Sequence, residues 1–359
     1  MVAVATDDRE GICMPDIAAY GATAADSGVG PMVITRRELR ANDVDIEIRY
    51  CGVCHSDLHT ARNDWGRTNY PVVPGHEIVG IVRAVGADVT DFRVGDRVAV
   101  GCLVDSCLEC DQCHDHQEQY CRAGTTGTYS GYDRIDGSPT HGGYAQRIVV
   151  RAEFVLRVPE ALDLAQVAPL LCAGITTYSP LKFWNVGPGT KVGVVGLGGL
   201  GHMGVKLAAG LGAEVTMITT SPGKAADAQA LGAQHVLIST DKQAMRAATG
   251  SFDFILDTVP VKHDLHPYLR LLRPGGTHVL VGVIEPIELH SGMLLGGRKQ
   301  LAGSAIGGIR ETQEMLDFCA ERNILPDCEI IAMADINQAY ERMEKSDVKY
   351  RFVIDMATL

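Results

Sequence analysis

The 359-residue chain is too long for one ordinary hydrophobic core and implies two domains. Its composition, 46% hydrophobic, 21% charged and 6% aromatic, excludes disordered, collagenous and coiled-coil classes. Acidic residues outnumber Lys plus Arg by 44 to 32, and the resulting formal charge of −12 repels a nucleic-acid backbone.

The N-terminal stretch carries Asp7, Asp8, Arg9 and Glu10 where a secretory signal needs an apolar core. Apolar runs such as Val192 to Leu200 are short and glycine-broken, so none reads as a membrane span. The expectation is a soluble, cytoplasmic protein with neither nucleic-acid nor membrane partner. After an expected strand, Val44 to Tyr50, the segment Cys51-Gly52-Val53-Cys54-His55-Ser56-Asp57-Leu58-His59 packs metal-capable and proton-capable groups into nine residues. Gly75-His76-Glu77 then follows Val72-Val73-Pro74 in a strand-to-turn setting.

Cys107, Cys110, Cys113 and Cys121 follow with the spacing C-x2-C-x2-C-x7-C. Loops this short can fold four sulfurs around one ion, and soft thiolates in a tetrahedral set favour zinc. An iron–sulfur cluster is the rival occupant. A closed four-sulfur set leaves no open position, so the site reads as structural. Of the 11 cysteines, Cys13, Cys51, Cys102, Cys319 and Cys328 lack such company and read as small buried hydrophobes.

Val192 to Val195 is a β-rich apolar run, followed by Gly196-Leu197-Gly198-Gly199-Leu200-Gly201 and a helical stretch, His202 to Leu211. Strand, turn and helix stand in the order a dinucleotide site requires, with the pyrophosphate at the helix N-terminus. The next expected strand, Glu214 to Thr219, ends at Thr220-Ser221-Pro222-Gly223-Lys224. No carboxylate stands there to accept from ribose hydroxyls, while hydroxyls and an ammonium attract a 2′-phosphate. The cofactor is therefore read as NADP(H), with Ser221 and Lys224 as main contacts and Thr220 as a lesser one. Alternation continues through a helix at Ala225 to Leu231, strands at His235 to Ile238 and Phe252 to Asp257, and a helix at Leu265 to Leu272. Pro274-Gly275-Gly276 precedes a strand, His278 to Gly282, and the pattern implies a doubly wound parallel sheet. Glu311 to Arg322 reads as a helix.

Gly75-His76-Glu77-x2-Gly80-x5-Gly86-x2-Val89 resembles the signature of zinc-containing medium-chain alcohol dehydrogenases. The resemblance extends over nearly the whole chain, through the four-cysteine lobe, the glycine turn and Leu171-Cys172-Ala173-Gly174-Ile175-Thr176-Thr177-Tyr178. Leu170-Leu171-Cys172-Ala173-Gly174 and Val348-Lys349-Tyr350-Arg351-Phe352-Val353 are similar to the cinnamyl alcohol dehydrogenase branch, and most of all to its bacterial NADPH-dependent aldehyde reductases.

That resemblance implies a GroES-like β-rich catalytic domain, residues 1–158 and 302–359, and a Rossmann domain, residues 159–301. It implies two zinc ions per subunit, with Cys54, His76 and Cys172 as catalytic ligands. Glu77 becomes a transient ligand or a hydrogen-bond acceptor behind the site. Asp57 orients the ligand histidine, Ser56 exchanges a proton with the alcohol, and His59 passes it to solvent. His55 and Arg351 fall at pyrophosphate positions, Thr176 near the nicotinamide, and Trp65 and Ile306 on the substrate pocket. An edge-to-edge homodimer is expected, acting on aromatic or medium-chain aldehydes and alcohols. The rivals are a zinc polyol or sugar dehydrogenase, whose pocket would need more polar partners, and a non-catalytic zinc- and nucleotide-binding relative.

Overall fold

A strand of 11 residues, Asp43–Val53, is buried along most of both faces and forms the spine of a seven-stranded sheet. It pairs antiparallel with Ile78–Val85, Arg147–Arg151 and Arg351–Asp355. Two of the seven strands, Cys328–Ala332 and Arg351–Asp355, come from the C-terminal part of the chain. The computed structural model describes residues 16–282 and 286–359. Asp7, Asp8, Arg9, Glu10 and Cys13, singled out in the sequence, lie outside the described residues.

The second sheet has six strands, in spatial order His235–Ile238, Glu214–Thr219, Lys191–Val195, Phe252–Asp257, Leu272–Leu280 and Gln300–Gly303. Every neighbouring pair is parallel. In chain order this is 3-2-1-4-5-6, the doubly wound arrangement, and the order reverses between Lys191–Val195 and Phe252–Asp257. Both faces are covered. Val192 and Val194 enter a core shared with Leu170, Ile175 and Met315, while Val195 faces Ile218, Ile255 and Leu272 on the other side.

Three elements differ from the sequence reading. The strand expected to follow Pro274-Gly275-Gly276 starts before it, at Leu272, and bulges there: the register passes from Phe252↔Leu272 to Phe254↔Thr277. Pro274 has no N–H for the ladder and Gly275 sits at φ +79°, so the chain loops out and rejoins. Helix Ala173–Phe183 carries no helical stripe that a sequence reading could find, because nine consecutive residues from Ala173 to Leu181 are buried. Helix Ile309–Arg322 buries Thr312, Met315, Leu316 and Cys319, a period of three and four, and ends at Asn323 in the left-handed conformation. It packs on Ala173–Phe183, with Phe318 5.7 Å from Tyr178, and so joins the core between the two sheets rather than the first sheet alone. Among the described residues no helix is long and apolar enough to cross a membrane.

Helix Gly201–Gly210 leaves the glycine turn so closely that a Cβ on Gly201 would stand 1.8 Å from the Gly196 carbonyl oxygen. A Cβ on Gly198 would meet nothing within 4 Å. Gly201→Ala is therefore expected to cost about 2–4 kcal/mol of stability, and Gly198→Ala close to none, as compared by denaturant unfolding.

Candidate metal and dinucleotide sites

Cys54 terminates the spine strand and stands at the N-cap of helix His55–Ala61. Its backbone N–H donates to Asp57 Oδ2 at 2.9 Å. The other carboxylate oxygen of Asp57 accepts from Gly75 N at 2.9 Å and from His76 Nδ1 at 3.0 Å. Tyr144 Oη donates to Asp57 Oδ2 at 3.3 Å, so a fully buried carboxylate takes four hydrogen bonds. With its Nδ1 proton given to Asp57, His76 is left with a lone pair on Nε2 for an ion. Gly75 makes this approach possible, since at φ +101° a Cβ there would collide with Cys51, Tyr144 and Gly143.

Cys172 arrives from the far side, at the joint between the 3-10 turn Ala168–Leu171 and helix Ala173–Phe183. Its sulfur lies 3.9 Å from that of Cys54. Ligand atoms of Cys54, His76, Glu77 and Cys172 all fall within 4.8 Å of one another. Two thiols this close cannot both ionise without a cation between them: Cys54 is pulled well below the usual thiol range by its bond from Cys172, and Cys172 is pushed well above it. A tetrahedron with sulfur arms of about 2.3 Å has an edge of about 3.8 Å, so the observed separation fits one zinc ion.

Glu77 is fully buried and bonded to Arg351, which is itself buried. The Arg351–Glu77 pair is thus a buried one, not a surface salt bridge. Burial raises the Glu77 carboxyl to about 7 against the opposing pull of Arg351, and its second oxygen has no partner. A Cβ on Gly199 would stand 3.0 Å from the Arg351 side chain, which places the guanidinium against the glycine turn as well.

Cys102 is a correction. Read as a small buried hydrophobe, it is half-buried and donates from Sγ to the Leu171 carbonyl at 3.8 Å, one residue before Cys172, and the nearby Cys172 thiol lowers its pKa. Tyr129, also unforeseen, places its hydroxyl 3.1 Å from His76 Nδ1 and its ring 5.5 Å from the imidazole. Neither residue belongs to a spaced motif, so nothing in the sequence announces it. Asp64, whose Oδ2 lies 2.7 Å from His59 Nδ1, was findable as the carboxylate just beyond the helix end. Among the described residues Cys51, Cys319 and Cys328 join no cluster of metal-capable groups; Cys51 and Cys319 are buried and Cys328 half-buried.

The four-cysteine lobe closes on itself. Sulfur separations are 3.8 Å for Cys107–Cys113, 3.6 Å for Cys110–Cys113 and 3.4 Å for Cys107–Cys121. Backbone N–H groups of Cys107, Cys110 and Arg122 point at these sulfurs, and the Arg122 N–H brings Cys110 down to about 6. All four sulfurs within 4.8 Å of one another suit a single ion and leave no volume for a multi-iron cluster.

At the turn, Gly196 to Gly201 link the strand Lys191–Val195 to helix Gly201–Gly210, with Leu197 buried and Leu200 at the helix N-cap. Lys224 Nζ donates to the Leu197 carbonyl at 3.0 Å, so it is tied to the turn rather than free in solvent. Thr220 and Ser221 are exposed at the strand end. Thr176 is buried one turn after Cys172, to whose carbonyl its backbone N–H donates at 3.0 Å. His55 is exposed and Ser56 half-buried on the ligand helix, whereas Trp65 packs 5.5 Å from His59 with 40% of its surface free. Ile306, half-buried, is held at φ +39°, an outlying conformation for a β-branched residue.

Asp57→Asn would replace an acceptor of four donors by a group with only one accepting atom. Zinc added to the protein is expected to bind the Cys54/His76/Cys172 set about 10- to 100-fold more weakly in chelator competition, with binding at the four-cysteine lobe unchanged.

The chain matches two family descriptions, the alcohol dehydrogenase GroES-like domain over residues 40–160 and the zinc-binding dehydrogenase over residues 199–321. It is 54% identical to NADP-dependent alcohol dehydrogenase C 1 of Mycolicibacterium smegmatis, covering 96% of this chain and 99% of that one. It is 55% identical to the aldehyde reductase YahK of Escherichia coli, with the same coverage of both chains. Among solved structures, a cinnamyl alcohol dehydrogenase of Sorghum bicolor superposes with a TM-score of 0.92 at 45% identity, covering 96% of this chain and 98% of that one. With the two sheets, the buried ligand set and the glycine turn in these positions, the chain belongs to the NADP-dependent zinc-binding alcohol dehydrogenases.

Proposed function

We propose that this enzyme reduces aromatic or medium-chain aldehydes with NADPH at a zinc ion held by Cys54, His76 and Cys172, a second zinc being structural in the four-cysteine lobe. The observation that carries this is the Cys54–His76–Cys172 constellation, three donors oriented by one buried carboxylate beside a dinucleotide turn. Cys54, His76 and Cys172 would hold the ion with three protein donors, a set that suits a catalytic rather than a closed structural zinc. When bound, zinc supplies a Lewis acid and NADPH the hydride. The chain supplies the rest. Ser56 donates a proton to the product oxygen, and His59 returns one to Ser56 from solvent. Asp64 holds the His59 Nδ1 proton and so directs Nε2 along the relay.

Lys224, with Ser221 and Thr220, would hold the 2′-phosphate, and Arg351 and His55 the pyrophosphate. An indole beside His59 favours flat or apolar substrates over polyols. The strand Gln300–Gly303 is paired on one side only, with Leu289 and Leu295 exposed nearby in sequence, and this edge supports a homodimer. None of the ten described cysteines is joined in a disulfide, which supports a reducing, cytoplasmic setting.

Two measurements check the assignment. A panel of benzaldehydes, cinnamaldehydes, aliphatic aldehydes and ketoses, followed by loss of NADPH absorbance, should show kcat/KM highest for the flat aldehydes. A preference for ketoses would instead establish the polyol reading. Lys224→Ala should raise KM for NADPH roughly 10- to 100-fold, as expected for a lost charge-assisted phosphate contact. KM for NADH should hardly change, and equal effects would show that the Lys224–Leu197 bond merely shapes the turn.

A further inference from the structure

We propose that His263 is a positioning residue for the dinucleotide: as an imidazolium bonded to both Asp257 and the Val261 carbonyl, it holds residues 258–263 against the glycine turn. This rests on the reading that NADP(H) lies along Gly196 to Gly201. Asp257 ends the strand Phe252–Asp257, next to Lys191–Val195, where the strand order of the parallel sheet reverses. Ligands of such sheets bind in the crevice at that point.

The segment after Asp257 is built onto the turn. Thr258 Oγ1 donates to the carbonyls of Val195 at 2.8 Å and Gly196 at 3.2 Å. A Cβ on Gly196 would meet Val259 at 3.0 Å and Thr258 at 3.1 Å, so this segment forms a wall of the turn. Val259 N in turn donates to Asp257 Oδ1 at 3.1 Å.

His263 closes the loop. Its Nε2 lies 2.9 Å from Asp257 Oδ2 and its Nδ1 2.8 Å from the Val261 carbonyl oxygen. A carboxylate and a carbonyl both accept only, so both ring nitrogens must carry protons. His278 Nε2 reaches the same Asp257 oxygen at 3.0 Å, but His278 is fully buried and its Nδ1 has no partner. A charge there would leave a buried N–H without an acceptor, so His278 is the neutral ring and His263 the charged one. The pair Asp257–His263 is then electrically balanced. Facing His263 are Asp257 and His278 from the strands, Asp264 from its own segment, and the ring of Tyr268 from helix His266–Leu271 at 5.8 Å. The Asp257 bond raises the His263 pKa above its ordinary value, with burial opposing. The clamp is therefore complete below that raised value and loses one bond as pH rises through it.

The test measures NADPH dissociation constants by fluorescence with the full-length protein from pH about 6 to about 9. His263→Gln can donate to Asp257 but not to the Val261 carbonyl as well, so it mimics the neutral ring. Wild-type affinity should exceed that of the variant about tenfold at the low end of this range and match it at the high end, with kcat at saturating NADPH unchanged. Titrating groups common to both proteins, the 2′-phosphate included, cancel in the comparison. Equal pH profiles in the two proteins would overturn the clamp. Absence of NADPH binding by the wild type at any pH would overturn the cofactor reading, and the clamp with it. Should the variant not fold, the labelled wild type decides: nuclear magnetic resonance should show one histidine with both ring N–H protons in slow exchange, and its absence would overturn the proposal.

Discussion

A single buried carboxylate organises the metal-binding half of this enzyme. Asp57 gathers the Cys54 amide, the Gly75 amide, the His76 imidazole and the Tyr144 hydroxyl, none of which is adjacent to it in sequence. Desolvating a carboxylate costs several kcal/mol, and only a full set of donors offsets that. The same donors fix the exit of the spine strand, the turn before Ile78–Val85 and the tautomer of the ligand histidine. The geometry of two candidate metal ligands is thus decided by the satisfaction of one charge. Cys172 is the candidate ligand that Asp57 does not reach, and it stands at the head of a helix buried from Ala173 to Leu181.

Charge compensation also joins the two sheets. Residues 349–351 cross between them: Lys349 pairs with Asp227 at 2.7 Å, Tyr350 stacks on His202 with ring centroids 4.8 Å apart, and Arg351 meets Glu77 and the Gly199 backbone. Arg351 thereby sits between the Glu77 carboxylate of the candidate metal site and the glycine turn. Lys206 adds a bridge to Asp327 and the Leu325 carbonyl. Against a chain of net charge −12, the buried Arg351 is a cation placed where anionic thiolates and phosphates are expected.

Much of this was legible in the sequence because the signals are local. C-x2-C-x2-C-x7-C needs only a short loop to converge, and strand, glycine turn and helix are contiguous. The parallel sheet was legible for the same reason, each strand and helix carrying its own period. Illegible were the bulge at Pro274-Gly275-Gly276, whose neighbours pair on both sides of it, and the helix Ala173–Phe183, which has no polar face to give a period. Cys102, Tyr129 and Tyr144 escaped notice because a lone Cys or Tyr carries no spacing. Their roles exist only once distant strands have set them around His76.

What the sequence determined by itself is therefore the chemistry available: which residues can hold zinc, which turn can receive a pyrophosphate, and which strand end lacks the carboxylate that would repel a 2′-phosphate. Tertiary structure decided the protonation and pairing of those groups. It joined Glu77 to Arg351, gave the Nδ1 proton of His76 to Asp57, and placed His263 and His278 on one oxygen of Asp257. The reason is physical: residue type and spacing fix what a group can donate or accept, but burial and the approach of remote donors fix which ionic form it holds.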